Sequence, residues 1–504
     1  MRSNTQSEYA MIAATVPIGK GVHMASRQDS VFASLFASVK DTHSEIAEWL
    51  ALRPALQWWA RVLRLGLFQF GIGVSLAPIT GTLNRVLINE LSLSAGYVAL
   101  LMAIHYFISP IRTVIGHSSD TQRSIGRWRT PYILLGAMLT FGGLTTAPFS
   151  LILFSPESNL QGPIVYVICV IIFAVYGVGV NIVETTYVAM VGDITEDHDR
   201  GKTLAILWLM LVIGTVVGAL VAGLMLTDYS HRRLIGVMQG SSVVFMICAV
   251  ISVIGQEKMN PDGTLVNKPP QRIRFALGES LQKVWQSPTL RSLFFIFFVA
   301  TLGFGTHDIL LEPYGAEILG MSVTATTLLT ALWGVAMIFA IVFAGIWLWR
   351  GGSGARLLIF GGIAGIIGFA CVSMSAYVNL FGSFQFGVMC IGVGRGLFIV
   401  GSIATVMSLA DRNHTGLFIG IWGVVQSLAQ GFGTIGGGVA RDVIKHQYNN
   451  PLLGYVGVYA VAGGLLVIMV IYMAVTHIGR KLESGQITSP WGGLQDIPAD
   501  QIIY

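Results

Sequence analysis

The stretch PIVYVICVIIFAVYGVGVNIVETTYVAM, residues 163–190, carries a single charged side chain, Glu184. About 20 consecutive apolar residues suffice to cross a hydrocarbon core as a helix, so this run predicts a membrane span. It is one of many. Comparable apolar windows fall at about 62–83, 95–115, 131–153, 203–226 and 235–255, and then at 291–312, 323–348, 355–376, 380–407, 417–440 and 452–476. The set reads as an all-α polytopic membrane protein with twelve transmembrane helices in two groups of six.

Composition supports that reading. Of 504 residues, 54% are hydrophobic and 11% charged, with a mean hydropathy of +0.70, whereas a soluble domain carries about a quarter charged residues. The net charge of +5 and pI near 9.0 suggest no nucleic-acid partner, because the basic residues form no stripe with interleaved aromatics. Cys169, Cys248, Cys371 and Cys390 lie in apolar runs without metal-type or redox-type spacing and read as reduced core residues. The first 30 residues lack the pattern of a secretory signal.

Five segments follow. Residues 1–60 form an extension in which Phe32, Leu35, Phe36, Ile46 and Leu50 alternate with polar positions, the pattern of amphipathic helix at an interface; a partner-docking arm is the other reading. Residues 61–255 and 291–476 are the two six-helix bundles. Between them, 256–290 is a polar linker with Lys258, Lys268, Arg272, Arg274 and Lys283, and 477–504 is a polar tail.

Charge sets the sidedness. Arg123, Arg127, Arg129, Arg200, Lys202, Arg350, Arg356 and Arg412 share one side with the linker, against Arg85, Arg232, Arg233, Arg441 and Lys445 on the other. The positive-inside bias then makes both tails and the linker cytoplasmic. Trp58, Trp59, Trp128, Trp285 and Trp349 fall near those edges, as an aromatic belt requires.

The halves repeat. Gly81-Thr82 in the first span matches Gly305-Thr306 in the seventh, and Gly192-Asp193 through Gly201 matches Ala410-Asp411 through Gly416. Offsets of about 215 to 224 residues fit duplication of a six-helix unit around a central path, with a binding site near its midplane.

The segment Gly116-His117-Ser118-Ser119-Asp120-Thr121-Gln122-Arg123, continuing to Gly126-Arg127-Trp128-Arg129, resembles the loop between helices 2 and 3 of the major facilitator superfamily. That resemblance implies a conformational latch in which Gly116, Asp120 and Arg127 take part; the plainer reading is a positively charged topogenic loop. The second-half counterpart, Trp349 to Arg356, lacks an acid, so any latch is lopsided.

Several segments together carry a narrower resemblance. They are Arg64-Leu65-Gly66-Leu67-Phe68-Gln69, Gly81-Thr82-Leu83-Asn84-Arg85-Val86, Gly305-Thr306-His307-Asp308-Ile309-Leu310-Leu311-Glu312-Pro313-Tyr314-Gly315, Gly394-Arg395-Gly396-Leu397-Phe398, and Gly416-Leu417 with Gly420 through Gln426. Over about residues 62 to 476 the chain resembles the PucC family, a bacteriochlorophyll-delivery branch of the major facilitator superfamily. The resemblance implies an integral protein of an inner, intracytoplasmic or thylakoid membrane. It would assist assembly of light-harvesting or reaction-centre polypeptides by handling chlorophyll or bacteriochlorophyll as cargo, with no intrinsic cofactor and no covalent chemistry.

A chlorophyll magnesium accepts an axial imidazole, which makes His105 and His307 the candidate ligands, with Tyr106, Phe107, Phe304 and Tyr314 nearby in sequence. Each also reads as a ring hydrogen-bonded inside the bundle. Repeat matching brings Arg85 level with Asp308, so the two are expected to meet and close the outer end of the path; otherwise each snorkels to its interface. A charge in hydrocarbon demands a partner or a wet cavity, which adds Asn181, Glu184, Glu312, Arg395, Gln426 and Gln430 as candidate lining residues. Arg395, among Gly392, Gly394 and Gly396, is either a structural counter-ion or a ligand for a carboxylate or phosphate. Those glycines, and the run Gly431 to Gly438, read as helix packing rather than nucleotide binding, since no strand precedes them. The rival function is a proton-coupled secondary transporter of a small amphipathic or anionic metabolite, with Glu184, Arg395 and Asp308 as its working groups. A third is a static assembly scaffold.

Overall fold

A computed structural model describes residues 54–121, 129–155, 162–195, 199–257, 285–378, 381–409 and 415–483, with 158 and 160. The chain divides into a unit Met1–Val62, of which only the residues from Pro54 on are described, and a unit Leu63–Tyr504, which contains everything below except the start of the first helix. The amphipathic segment expected over 30–59 lies outside the described residues up to position 53, and the linker likewise over 258–284.

The described residues are helical throughout, without strands. In order they form α1 (Pro54–Ala77), α2 (Asn84–Asn89), α3 (Ala95–Phe107), α4 (Ile111–Thr121), α5 (Thr130–Thr146), α6 (Ser150–Leu153), α7 (Pro163–Ile194), α8 (Arg200–Met225) and α9 (His231–Val253). The second half follows as α10 (Pro288–Gly305), α11 (Leu311–Glu317), α12 (Val323–Trp349), α13 (Gly354–Val378), α14 (Phe381–Leu409), α15 (Thr415–Tyr448), α16 (Pro451–Thr476) and the short α17 (Ile478–Glu483). Helix occupies all twelve apolar windows, and ten of the helices are long and apolar enough to cross a membrane. The protein is therefore an integral membrane protein of the all-α class.

Local sequence sets the helix starts. Ser94, Ser230, Ser322 and Asn450 each accept a hydrogen bond from the backbone N–H of Tyr97, Arg233, Ala325 and Leu452 in turn. These are N-caps of α3, α9, α12 and α16, which satisfy donors the first turn leaves free. All four lie at the same end of the bundle, called the capped end below.

Three spans are interrupted where the site lies. The first passes from α1 through a π-helical segment, Pro78–Leu83, into α2. The seventh breaks into a turn between α10 and α11. The repeated Gly-Thr pair sits at both breaks. The second breaks at Ile108–Pro110, where proline removes a backbone donor. This revises the sequence reading of 116–121 as loop: α4 runs through it to Thr121.

Small residues bring the helices together. A Cβ on Gly394 of α14 would lie 2.7 Å from the Gly361 carbonyl of α13, and one on Gly396 would lie 2.9 Å from the Met337 carbonyl of α12. A Cβ on Gly438 of α15 would come within 2.5 Å of the Ala95 carbonyl on α3. Backbones this close leave no room for a side chain, so the glycines act in packing, as their positions suggested. Hydrogen bonds join the two halves toward the capped end. Thr82 meets Thr327 at 3.0 Å, Asn84 donates to the Ile309 carbonyl at 2.7 Å, Asn89 to the Pro313 carbonyl at 3.1 Å, and Thr324 to the Leu226 carbonyl at 3.1 Å.

Candidate functional site

The breaks in the first and seventh spans open onto a cavity of about 160 Å³, bordered by His105, Tyr106, His307, Asp308, Glu312 and Arg395 among others. Five of these were expected near the path, and the structure brings them to one cavity. The pairings differ from those expected. Asp308 does not meet Arg85. Its carboxylate binds Arg395 at 2.7 Å and accepts from the Gln430 amide. Arg395 also donates to Gln430 Oε1 at 3.2 Å and lies over the Trp333 ring at 5.9 Å. Arg85 instead binds Glu90 at 2.9 Å and reaches the Met321 carbonyl at 3.4 Å. The reason is reach: Glu90 lies five residues along the same chain segment, whereas Asp308 sits in a turn that faces α14. Arg395 is thus the counter-ion that Asp308 requires, and both remain partly accessible from the cavity.

The two histidines differ. His307 is 2% exposed; its Nε2 lies 3.7 Å from Asp308, its ring packs edge-on against Phe369 at 5.2 Å, and its Nδ1 has no partner. His105 is half-buried, with its ring 3.8 Å from that of Tyr106 and its Nδ1 2.8 Å from the Met102 carbonyl. A carbonyl only accepts, so in neutral His105 Nδ1 carries the proton and Nε2 keeps its lone pair.

Asn181 and Glu184 share one face of α7 and one partner, which the sequence reading did not name. Arg112 of α4 donates to Asn181 Oδ1 and binds Glu184 at 2.7 Å, while the Asn181 amide donates to the carbonyls of His105 and Gly177, each at 2.8 Å. The signal was present: an arginine in the second apolar window needs an acid. Glu184 is therefore not the lone acid the sequence suggested. Gln426 accepts from the Thr301 hydroxyl and its Nε2 is buried without a partner. Of the expected latch, Gly116 and Asp120 lie on α4, while Arg127 falls outside the described residues. Arg129 binds Asp193 at 3.1 Å and Ser119 at 2.6 Å. Glu257, an unpredicted partner, accepts from Arg129 N at 2.6 Å and from the Thr130 hydroxyl at 2.8 Å.

Nearer the capped end a second cavity, of about 510 Å³, is bordered by Arg85, Asn89, Glu317, Arg441, Asp442 and Lys445. Glu317 binds Arg441, Lys445 at 2.8 Å and the Tyr455 hydroxyl at 2.7 Å. Burial pushes its carboxyl up, but hydrogen bonds from Lys445 and Tyr455 and the Arg441 charge outweigh that and hold it below the ordinary value. Asp442 accepts from the Gly96 N–H of the other half at 2.8 Å. Sequence reading missed Glu317 because it lies just past the predicted span, where an acid is unremarked.

Among the described residues no three His, Cys, Asp or Glu converge as a metal site.

Comparison with known proteins fits this geometry. The chain resembles the crystal structure of a D-xylose-proton symporter at a TM-score of 0.63 and 15% identity, over 82% of this chain and 96% of that one, and so shares its fold. It is 35% identical to Protein PucC of Rhodovulum sulfidophilum over 77% of this chain and 86% of that protein. It is 28% identical to the bacteriochlorophyll synthase 44.5 kDa chain of Rhodobacter capsulatus, over 77% and 88%. The family model described as PUCC protein matches residues 82–481, from Thr82 at the first break to the short α17, and the chain belongs to that family.

Proposed function

We propose that this protein takes up a chlorophyll-type pigment within a photosynthetic membrane and delivers it to light-harvesting or reaction-centre polypeptides during their assembly. The observation that carries this reading is His105. Its Nδ1 is committed to the Met102 carbonyl, so Nε2 is available as the one axial ligand that a ring-bound magnesium lacks, beside the flat face of Tyr106. The name of the Rhodobacter capsulatus relative, a bacteriochlorophyll synthase chain, agrees with that cargo.

Size restricts how the cargo is held. Pockets that enclose a drug-sized molecule run to about 300–1,000 Å³, against 160 Å³ here. The cavity therefore receives the edge of a macrocycle, and the whole ring is admitted only as the halves part. In this reading Arg395, Asp308, Asn181, Glu184 and Gln426 keep the path polar, and His307 offers a second imidazole. Both tails and the linker lie on the cytoplasmic side of an inner, intracytoplasmic or thylakoid membrane.

A second reading, a proton-coupled transporter of a small amphipathic or anionic metabolite, is favoured by the same small volume and by the ionic groups that border it. Gently purified protein from a pigment-producing membrane separates the two. Pigment handling predicts absorbance in the chlorophyll red band, lowered by at least half in His105→Ala and by less in His307→Ala. Colourless protein that drives uptake into vesicles under a pH gradient overturns the pigment reading in favour of the transporter.

A further inference from the structure

Every carboxylate whose side chain is described pairs with a cation except Glu257 and Glu312. Glu257 is satisfied by the donors of Arg129 and Thr130. Glu312 has far less. It is 3% exposed, its Oε1 accepts only the Thr330 hydroxyl at 2.6 Å, and its Oε2 is buried without a partner.

The placement of this acid is as telling as its isolation. Gly81 of the π-helical segment packs directly on Oε1, where a Cβ would overlap the carboxyl. One residue on, Thr82 makes the hydrogen bond to Thr327 that joins the halves. Glu312 also borders the central cavity, whose wall is mostly apolar but carries the charged and polar groups named next, and which is large enough for several waters. The charged and titratable groups that share the cavity are His105 and Tyr106 from α3, His307 and Asp308 from the turn, and Arg395 from α14. Asp308 and Arg395 neutralise each other. The other lining groups, on α12 and α15, are Thr330, Trp333 and Thr434, which are uncharged, and the nearby Arg85 is held by Glu90.

We propose that Glu312 is a proton-binding site whose occupancy decides whether the two halves stay joined toward the capped end. As a neutral acid, the group suits a buried contact with one hydrogen bond. As a carboxylate, it would carry an unpaired charge in a low-dielectric contact, which burial strongly opposes. When the halves part, water reaches the carboxyl and the acid gives its proton to that water; on closing, the carboxylate takes a proton back from hydronium. The joined form thus holds the proton and the parted form releases it, so raising the pH favours parting. The inference does not depend on what the cargo is.

The test uses the full chain in lipid nanodiscs, with Cys169, Cys248, Cys371 and Cys390 replaced and spin labels at Asp228→Cys and Tyr448→Cys, one on each half at the capped end. The expected result is a distance distribution that lengthens as pH rises, together with an infrared band of a buried carboxylic acid that fades over the same range. Glu312→Gln, a neutral mimic of the acid, removes the band and holds the short distance at every pH. Thr330→Val, which keeps the carboxyl but removes its one donor, moves the transition to higher pH. The proposal is overturned if Glu312→Gln lengthens over the same pH range as the parent, or if the acid band survives that substitution. Pigment content enters neither measurement, so a colourless protein that passes this test would sink only the pigment reading.

Discussion

The two halves each hold a trio of arginine, acid and amide in the middle of the bundle. In the first half Arg112 binds Glu184 and Asn181; in the second Arg395 binds Asp308 and Gln430. The chemistry is alike and the surroundings are not. The side chain of Arg112 is 38% exposed and that of Arg395 18%. Partly exposed pairs contribute little, because solvent already stabilises the separate charges; a more buried pair is costly to break from one side, because the remaining charge is stranded. The comparison teaches that breaking the ion pair from one side costs more in the second-half trio than in the first.

The largest effect expected from this difference is on Asp308→Ala, which strands Arg395 and should cost about 3 kcal/mol in thermal or denaturant unfolding of the detergent-solubilised protein. Adding Arg395→Met should recover most of that loss. A smaller loss, about 1–3 kcal/mol, is expected from Gly394→Ala, whose new methyl meets the Gly361 carbonyl and pushes α14, with Arg395, off its place. Gly464→Ala, which meets nothing within 4 Å, is the matched control and should melt with the parent. Glu184→Ala is expected to cost at most about 1 kcal/mol. If it matched Asp308→Ala, the contrast between the trios would fail.

The smallest effect concerns acid stability. Glu317 has its carboxyl held below the ordinary value in the folded protein. Its contribution is therefore complete above the unfolded value and is lost as pH falls through the folded one. Glu317→Gln should flatten the acid limb of a stability-against-pH curve by lowering stability at neutral pH by less than about 1 kcal/mol, and leave the acid end nearly unchanged. A steeper acid limb in the variant would reverse the assignment.

Much of this protein is legible from the chain alone. A run such as 163–190 has too few polar groups to lie in water, so the helices and their windows follow from hydropathy, and the shared Gly-Thr pairs mark the repeat, while the breaks at both pairs emerge only in the structure. The same logic singled out His105, His307, Asp308 and Arg395, since polar groups in apolar helices are expensive and therefore conspicuous. Partners were harder. Asp308 was matched with Arg85 because both lie at similar depth, yet a charge pairs with whatever side chain its helix rotation and neighbours bring within about 3 Å. Arg112, Glu257 and Glu317 were overlooked for the related reason that their roles depend on what stands opposite them.

What the amino-acid order determined by itself is the class of structure and the positions where polarity intrudes, because water and lipid sort side chains locally, a helix at a time. Only the folded arrangement decided that Arg395 rather than Arg85 neutralises Asp308, that His105 presents Nε2 free, and that Glu312 is left with a single hydrogen bond. Those outcomes turn on contacts between helices far apart in the chain, whose rotation and spacing are set by glycine packing across the whole bundle.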